Sequence, residues 1–513
     1  MHEHGKSDSP VVPARPPNKA VAAEAAEERG LAEGNTDGPT RPGLRAGPGV
    51  PSGLDRVREV ARRDKDARFT ALLHHVGLDR LWAAYVAINP KAAPGVDQVT
   101  WDAYGQNLRE NLEDLLRRVH SGAYRASPSR RVYIPKPDGR QRPLGIATLE
   151  DKILQRAVVE VLNAVYEEDF RGFSYGFRPG RGPHDALDAL SVGIWRKKVN
   201  WVLDADIRDF FGQLDRVWLR KFLGHRIADK RVLRLVDKWL AAGVIEDGAW
   251  SETPQGSPQG ASASPLLANI ALSALDEHFD QQWHQDMGTS RQRAKRKEKG
   301  LGNWRLIRYA DDFVLMVAGD RHHAEALREE VSAVLAPLGL RLAPEKTKVV
   351  HIDEGFTFLG FDIRRLRKRG TSKYYVYTKP SRKAIQAIKD KVKAKTYRST
   401  RHQELDELIR SLNRSLAGWA NYFRYGVSKA VFSAIDSFTW LRLMRWIRRK
   451  YEGKHRLGMK DLRRRFCDKG WRFACNGVAF TGASSVTVTR YRYRGNNIPT
   501  PWTPTPAAAL TSG

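Results

Sequence analysis

Two adjacent carboxylates set the tightest limit on what this chain can fold into. Asp311 and Asp312 form its only Asp-Asp doublet, and they separate two apolar runs, Leu306-Ile307 and Phe313-Val314-Leu315-Met316-Val317. Apolar runs broken by a tight polar step predict a strand, a turn and a second strand over 305–317. At about 4 Å such charges repel by roughly 4 kcal/mol at an effective dielectric of 20. A rigid hairpin keeps that pair where a cation sits between them, and hard divalent cations with oxygen ligands suit it best. A lone acidic doublet is more often a solvated turn, but a second acidic strand end reverses those odds. In Trp201-Val202-Leu203-Asp204-Ala205-Asp206-Ile207, Asp204 and Asp206 project to the same side of a predicted strand. Three carboxylates from neighbouring strands can hold two Mg²⁺ ions about 3.5–4 Å apart. One ion would acidify a primer 3′-hydroxyl, and the other would hold a triphosphate and its leaving pyrophosphate. Such phosphoryl transfer needs positioning and charge stabilisation, with no protein nucleophile.

Charge points to the same class of substrate. Lys and Arg number 88 against 58 Asp and Glu, a net +30 over 513 residues. So basic a chain resists its own compaction, and phosphate is the usual counter-charge, binding through counterion release. A membrane span is not expected, because no apolar run reaches the roughly 18 residues it needs. Met1–Pro10 lacks the apolar core of a signal peptide. The two cysteines, Cys467 and Cys475, fit neither a CxxC pair nor a paired zinc site. A reducing cytoplasm is the expected compartment.

The length allows two to four domains. Residues 1–53 are rich in Pro, Gly, Ala and Glu and read as a disordered tail. From 54 to 375 helices and strands mix without a regular βαβ beat, which predicts an α+β body. An apolar stripe of Ile153, Leu154, Val158, Val161, Leu162 and Val165 predicts a helix over 151–166. From 376 to 455 the pattern is helical. Leu405, Leu408, Ile409, Leu412, Leu416, Trp419 and Phe423 line one face of a long helix whose other face carries Arg410, Arg414 and Arg424. A second basic helical stretch covers 440–449. Residues 456–505 form a basic nucleic-acid-binding region, β-like over 484–502, and 506–513 a tail. Arg291–Lys299 reads as a loop that either binds phosphate or is simply solvated.

The motifs together resemble those of group II intron reverse transcriptases. Tyr309-Ala310-Asp311-Asp312 resembles the YADD box. Val132-Tyr133-Ile134-Pro135-Lys136-Pro137-Asp138-Gly139 with Arg142-Pro143-Leu144-Gly145-Ile146 resembles the first fingers motif, and Ser174–Arg181 the second. Asp206-Ile207-Arg208-Asp209-Phe210-Phe211 resembles the first palm motif, and Ser257-Pro258-Gln259-Gly260 with Ser264–Asn269 the PQG box and its helix. Gly355–Phe361 resembles the motif closing the palm, Pro94-Gly95-Val96-Asp97 an N-terminal fingers segment, and Gly418–Phe423 the thumb, or maturase, signature. The resemblance implies a right-hand polymerase: fingers and palm over 54–375, a helical thumb over 376–455 and a small basic C-terminal domain. It implies RNA-directed DNA synthesis from dNTPs on a DNA primer, with the cognate intron RNA bound and helped to splice.

The resemblance also assigns roles. Asp206, Asp311 and Asp312 are catalytic and bind two Mg²⁺ ions, with the Ile207 carbonyl assisting; on spacing alone Asp204 rivals Asp206. Lys136 and Arg142 hold the incoming triphosphate, Phe211 excludes a 2′-hydroxyl, and Gln259 contacts nucleotide or template. Arg178 contacts template or the fingers. Trp419, Tyr422, Trp440 and Trp446 are candidate stacking groups in an RNA-binding thumb. Three departures stand out. Pro254-Gln255-Gly256 duplicates the PQG box at the wrong spacing. Gly212 and Arg216 replace the family's usual Asp and His. The cysteine pairs of an HNH endonuclease domain are missing, so no such domain is expected. Rival readings are a domesticated reverse transcriptase serving defence or repair, a splicing factor with an inactive polymerase, and an RNA-templated RNA polymerase.

Overall fold

The computed structural model describes residues 53–489 apart from 136–140, 197, 247–248, 252–259, 369, 452–456 and 469. Of the tail expected at 1–53 only Gly53 is described, at the start of helix Gly53–Arg63, and the tail expected at 506–513 lies outside the described residues, as does 490–505.

A four-stranded antiparallel sheet is the centre of the molecule. Asp312–Ala318 pairs on one side with Asn303–Tyr309 and on the other with Trp201–Asp206, which pairs in turn with Lys348–His351. The strand, turn and strand expected over 305–317 are present, the turn being the two residues Ala310-Asp311. Strand side chains alternate between faces, and here the alternation sends the two faces into two different cores. Leu203, Ala205, Leu306, Phe313, Leu315 and Val317 join one core with the helices Leu149–Tyr166, Ser264–Gln282 and Arg321–Leu335. Val202, Ile307, Tyr309, Val314 and Met316 join the other.

The first core belongs to the fingers and the back of the palm. Helix Leu149–Tyr166 starts on an Oγ1 cap, with Thr148 accepting from the Asp151 amide, and most of its residues are buried. The strands Ser129–Pro135 and Gln141–Ile146 form an antiparallel hairpin beside it. Pro94-Gly95 lies against the helix start. A Cβ at Gly95 would stand 2.6 Å from Thr148 Cα, so only glycine fits. Arg130 and Lys152 donate to the carbonyls of Pro94 and Ala93 and hold the segment there.

The second core joins palm to thumb. The palm chain continues through a sheet of Phe356–Phe358, Phe361–Arg367 and Tyr374–Pro380, whose last strand crosses the boundary expected at 375. Helices Arg382–Lys395, Leu405–Phe423 and Lys429–Tyr451 follow. All seven apolar positions expected on one face of Leu405–Phe423 are buried. Tyr422 Oη donates to the Leu359 carbonyl at 2.9 Å, and Phe361 packs its ring 4.8 Å from Phe423. The motif closing the palm and the thumb signature are therefore one contact. Residues 457–489 pack into the same core through Leu457, Leu462, Phe466, Phe473 and Phe480. Asp436 accepts from the amides of Ala483 and Ser484, and Asn413 clasps Ala479 and Thr481. The described part of the β-like stretch, 484–489, contains no strand.

Trp419, 1% exposed, packs against Phe423 and Phe432 of two thumb helices, inside the core that also takes in palm-sheet residues and Phe361. Trp419→Ala is expected to cost about 3–5 kcal/mol and to lower palm and thumb stability together. Denaturation followed by probes placed separately in palm and thumb would check this; separate transitions would contradict a shared core.

Candidate active site

Strand register brings the expected acids together. Asp206 stands directly opposite Asp312, and Tyr309 pairs with Asp312 from the other side. Side chains directly opposite on antiparallel strands have Cβ atoms about 4.5–5.5 Å apart, so these two carboxylates share one end and one face of the sheet. Asp311 occupies the turn, and all three are partly exposed. Asp204 lies on the same face but deeper, opposite Val314 and Lys348. Burial pushes its carboxyl up to about 7, and the charge of Asp206 adds to the rise. Spacing could not separate Asp204 from Asp206; depth separates them, since Asp206 stands at the accessible strand end.

Two further groups face this end. Lys346 Nζ donates to Asp206 Oδ2 at 2.8 Å. The stretch 341–343 runs antiparallel past 206–208, with Ala343 N donating to Asp206 O and Arg208 N to Arg341 O. Ile207 is thus in a non-hydrogen-bonded position toward Leu342. Backbone groups alternate sides along a strand, so the Ile207 carbonyl points back toward the acidic turn. Three carboxylates and a carbonyl are the hard oxygen donors that divalent ions prefer. The ammonium already seated on Asp206 shows that this end takes positive charge, so the donor set fits the metal ions expected of it.

Beneath the turn is a buried polar network that the motif reading did not assemble. Arg308 has 0% side-chain exposure, and its partner Asp276 has 1%. Arg308 makes paired bonds to Asp276 at 2.7 and 2.5 Å, and it also donates to Asn269 Oδ1, Ser174 Oγ and the Ala310 carbonyl. Asn269 in turn donates to the Gly176 carbonyl at 2.8 Å. Ala310 has φ +56°, a left-handed conformation uncommon for a residue with a Cβ. The bond from Arg308 to its carbonyl holds the turn there. Gly176 presses on the same turn: a Cβ there would be 2.2 Å from Ala310 N. One signal was available in the sequence. Asn269 and Asp276 lie seven residues apart, on the helix face that also carries Leu272 and Phe279, and Arg308 follows Leu306-Ile307 in its strand.

The other expected residues are distributed as follows. Phe211 is half-buried in the short helix Phe210–Gln213, edge-on to Phe210 at 5.2 Å. Gly212 has a local reason. The Asp209 carboxylate folds over it, and a Cβ there would meet Asp209 Oδ2 at 2.3 Å. Lys136 and Gln259 lie outside the described residues. Arg142 sits opposite Ile134 in the fingers hairpin, and its side chain is likewise outside the description. Arg178 is not positioned for template. It is 4% exposed, paired with Glu167 and donating to the carbonyls of Arg171 and Ser174. Trp419 and Trp446 are buried at 1% and 2%, and Tyr422 and Trp440 spend their donors on Leu359 and Trp471. Trp419 and Trp446 belong to the thumb core, whereas Tyr422 and Trp440 are half-buried against it.

Comparison with known proteins agrees with this geometry. A family model described as "Reverse transcriptase (RNA-dependent DNA polymerase)" matches residues 134–363, and one described as "Group II intron, maturase-specific domain" matches 385–466. The chain is 36% identical over 326 residues to Protein YkfC of Escherichia coli (strain K12), covering 59% of this chain and 84% of that one. It is 29% identical over 366 residues to the group II intron-encoded protein LtrA of Lactococcus lactis subsp. cremoris, covering 62% of this chain and 61% of LtrA. A putative COX1/OXI3 intron 2 protein of Saccharomyces cerevisiae is 26% identical, with 38% of its length covered.

Because Gly176 bears directly on the acidic turn, Gly176→Ala is expected to displace the carboxylates while leaving the fold intact. A shift of about 1 Å there should lower activity roughly 100-fold. Primer extension measured beside the thermal midpoint checks it; near-normal activity would show that the turn does not depend on this contact.

Proposed function

This chain belongs to the family of group II intron-encoded reverse transcriptases, RNA-directed DNA polymerases that carry a maturase-specific domain, and from that premise we propose that it extends a primer 3′-end with dNTPs at Asp206, Asp311 and Asp312. The observation carrying this reading is the Asp206–Asp312 register pairing beside a turn whose conformation is held from behind.

The family uses divalent metal ions; two Mg²⁺ ions are the proposed cofactor here. When bound, they supply an acidified primer hydroxyl and neutralise charge on the reacting phosphate. The chain's own groups do the rest. Asp206 and Asp312 provide ligands from facing strands, Asp311 adds a third carboxylate from the turn, and Ile207 adds a carbonyl. Lys346 places a positive charge where triphosphate oxygens gather, and charge-assisted contacts of this kind are strong. Lys136, Arg142 and Gln259 complete the proposed nucleotide site. Phe211, five residues past Asp206, lies against the sugar and disfavours a 2′-hydroxyl.

The second part of the proposal is binding and splicing assistance for the intron RNA, together with intron mobility. The maturase-specific match covers the thumb helices. There Arg382, Lys383, Arg414, Arg445, Arg449 and Arg463 are exposed. A DNA primer or target and dNTPs are the other proposed partners, and the cytoplasm the proposed compartment. No described helix is long and apolar enough to cross a membrane.

Primer extension on an RNA template with Mg²⁺ tests the polymerase. Asp311→Asn and Asp312→Asn should each lower synthesis at least about 100-fold, the scale of losing one preorganised electrostatic contact. Near-normal product from either would refute the assignment. Phe211→Ala should relax dNTP-over-NTP selection by about tenfold, on the scale of a pocket contact. Competition between the two nucleotide types measures it.

A further inference from the structure

The stretch 291–299, expected as a loop, is the helix Ser290–Glu298. It has no buried residue, so no apolar stripe holds it to the protein. What holds it is polar. Thr289 and Gln292 form a reciprocal cap at its start. Arg293 donates to the Met287 and Gly288 carbonyls and lies 5.6 Å over the Trp283 ring. Arg296 pairs with Asp286 at 3.0 Å and donates to the Gly302 carbonyl. Gln292, Arg293 and Arg296 thus form the inward face.

The outward side carries Arg291, Lys295 and, at the C-cap, Lys299, all exposed and without an ion-pair partner among the described residues, with one exposed carboxylate, Glu298, among them. Their i, i+4, i+8 spacing makes one row about 12 Å long. Like charges four apart destabilise a helix, and this helix buries no apolar face in return. Such a row has no structural use within the chain, and it complements a polyanion. Its position narrows the choice. It precedes strand Asn303–Tyr309, whose far end, opposite Ala318, is about 20 Å from the acidic turn at 3.3 Å per residue. The row therefore cannot touch the reacting primer end.

We propose that Arg291, Lys295 and Lys299 form a second RNA-binding surface on the palm. It holds the phosphate backbone of a double-helical RNA segment while the single-stranded template occupies the acidic site. This rests on the reading of the chain as an RNA-directed polymerase. The row reads backbone charge and carries no base specificity, since Lys and Arg contacts to phosphate position a nucleic acid without reading it.

The test compares the native protein with Arg291→Ala/Lys295→Ala/Lys299→Ala on two probes. One is a primed single-stranded RNA. The other is the same RNA extended by a stem of two helical turns. The variant should extend the stemless probe normally. It should bind the stemmed probe about tenfold or more weakly, with a log-affinity against log-salt slope shallower by about two to three. Equal loss on both probes would mean a general charge effect and overturn the proposal. So would no loss on the stemmed probe, the result expected if the row instead docks an acidic protein surface. A DNA stem that benefits as much as the RNA stem would overturn the assignment to RNA. Failure of the native protein to extend any primer would count against the polymerase reading alone, because the binding comparison is read independently.

Discussion

The ion pair of Arg308 and Asp276 is the interaction on which the active end depends. Both groups are fully dehydrated, and a buried pair earns little net stability, whereas removing one partner costs about 3–5 kcal/mol. The pair is tolerable because each remaining donor of the guanidinium is used. The bonds to Ser174, Asn269 and the Ala310 carbonyl tie a fingers segment, a palm helix and the acidic turn into one unit. The left-handed Ala310 and the missing Cβ of Gly176 follow from that arrangement. So does the register that sets Tyr309 against Asp312, since the turn must close where the network places it.

Much of this was legible in the sequence, for a physical reason. Alternation along 201–206 and 312–318 reports two buried faces, and the doublet marks where the hairpin turns. The amphipathic stripe over 405–423 reports a helix with a buried side, and every position read from it is buried. Such patterns are local. The network under the turn joins residues as far apart as Ser174 and Arg308, and no local pattern shows which of 88 cations sits beneath the turn. The ambiguity between Asp204 and Asp206 was of the same kind, because both lie on one side of one strand and only depth distinguishes them.

The sequence reading diverged from the structure where composition stood in for placement. Aromatics in a basic thumb suggested stacking surfaces, yet Trp419 and Trp446 are among its most enclosed side chains. Arg178, read as a template or fingers contact, is a clamp within the fingers for the turn that follows a long helix. Both are amphipathic or charged residues whose role depends on what surrounds them. The helix at 290–298 was missed because it has no apolar periodicity to detect; caps and arginine tethers leave a weaker trace than a hydrophobic stripe.

The palm sheet and the thumb helices share a single hydrophobic interior, with Phe361, Trp419 and Phe423 at its centre. Interiors packed to crystal-like density transmit strain and do not slide. Palm and thumb therefore behave as one jaw of a caliper whose setting is built in at folding.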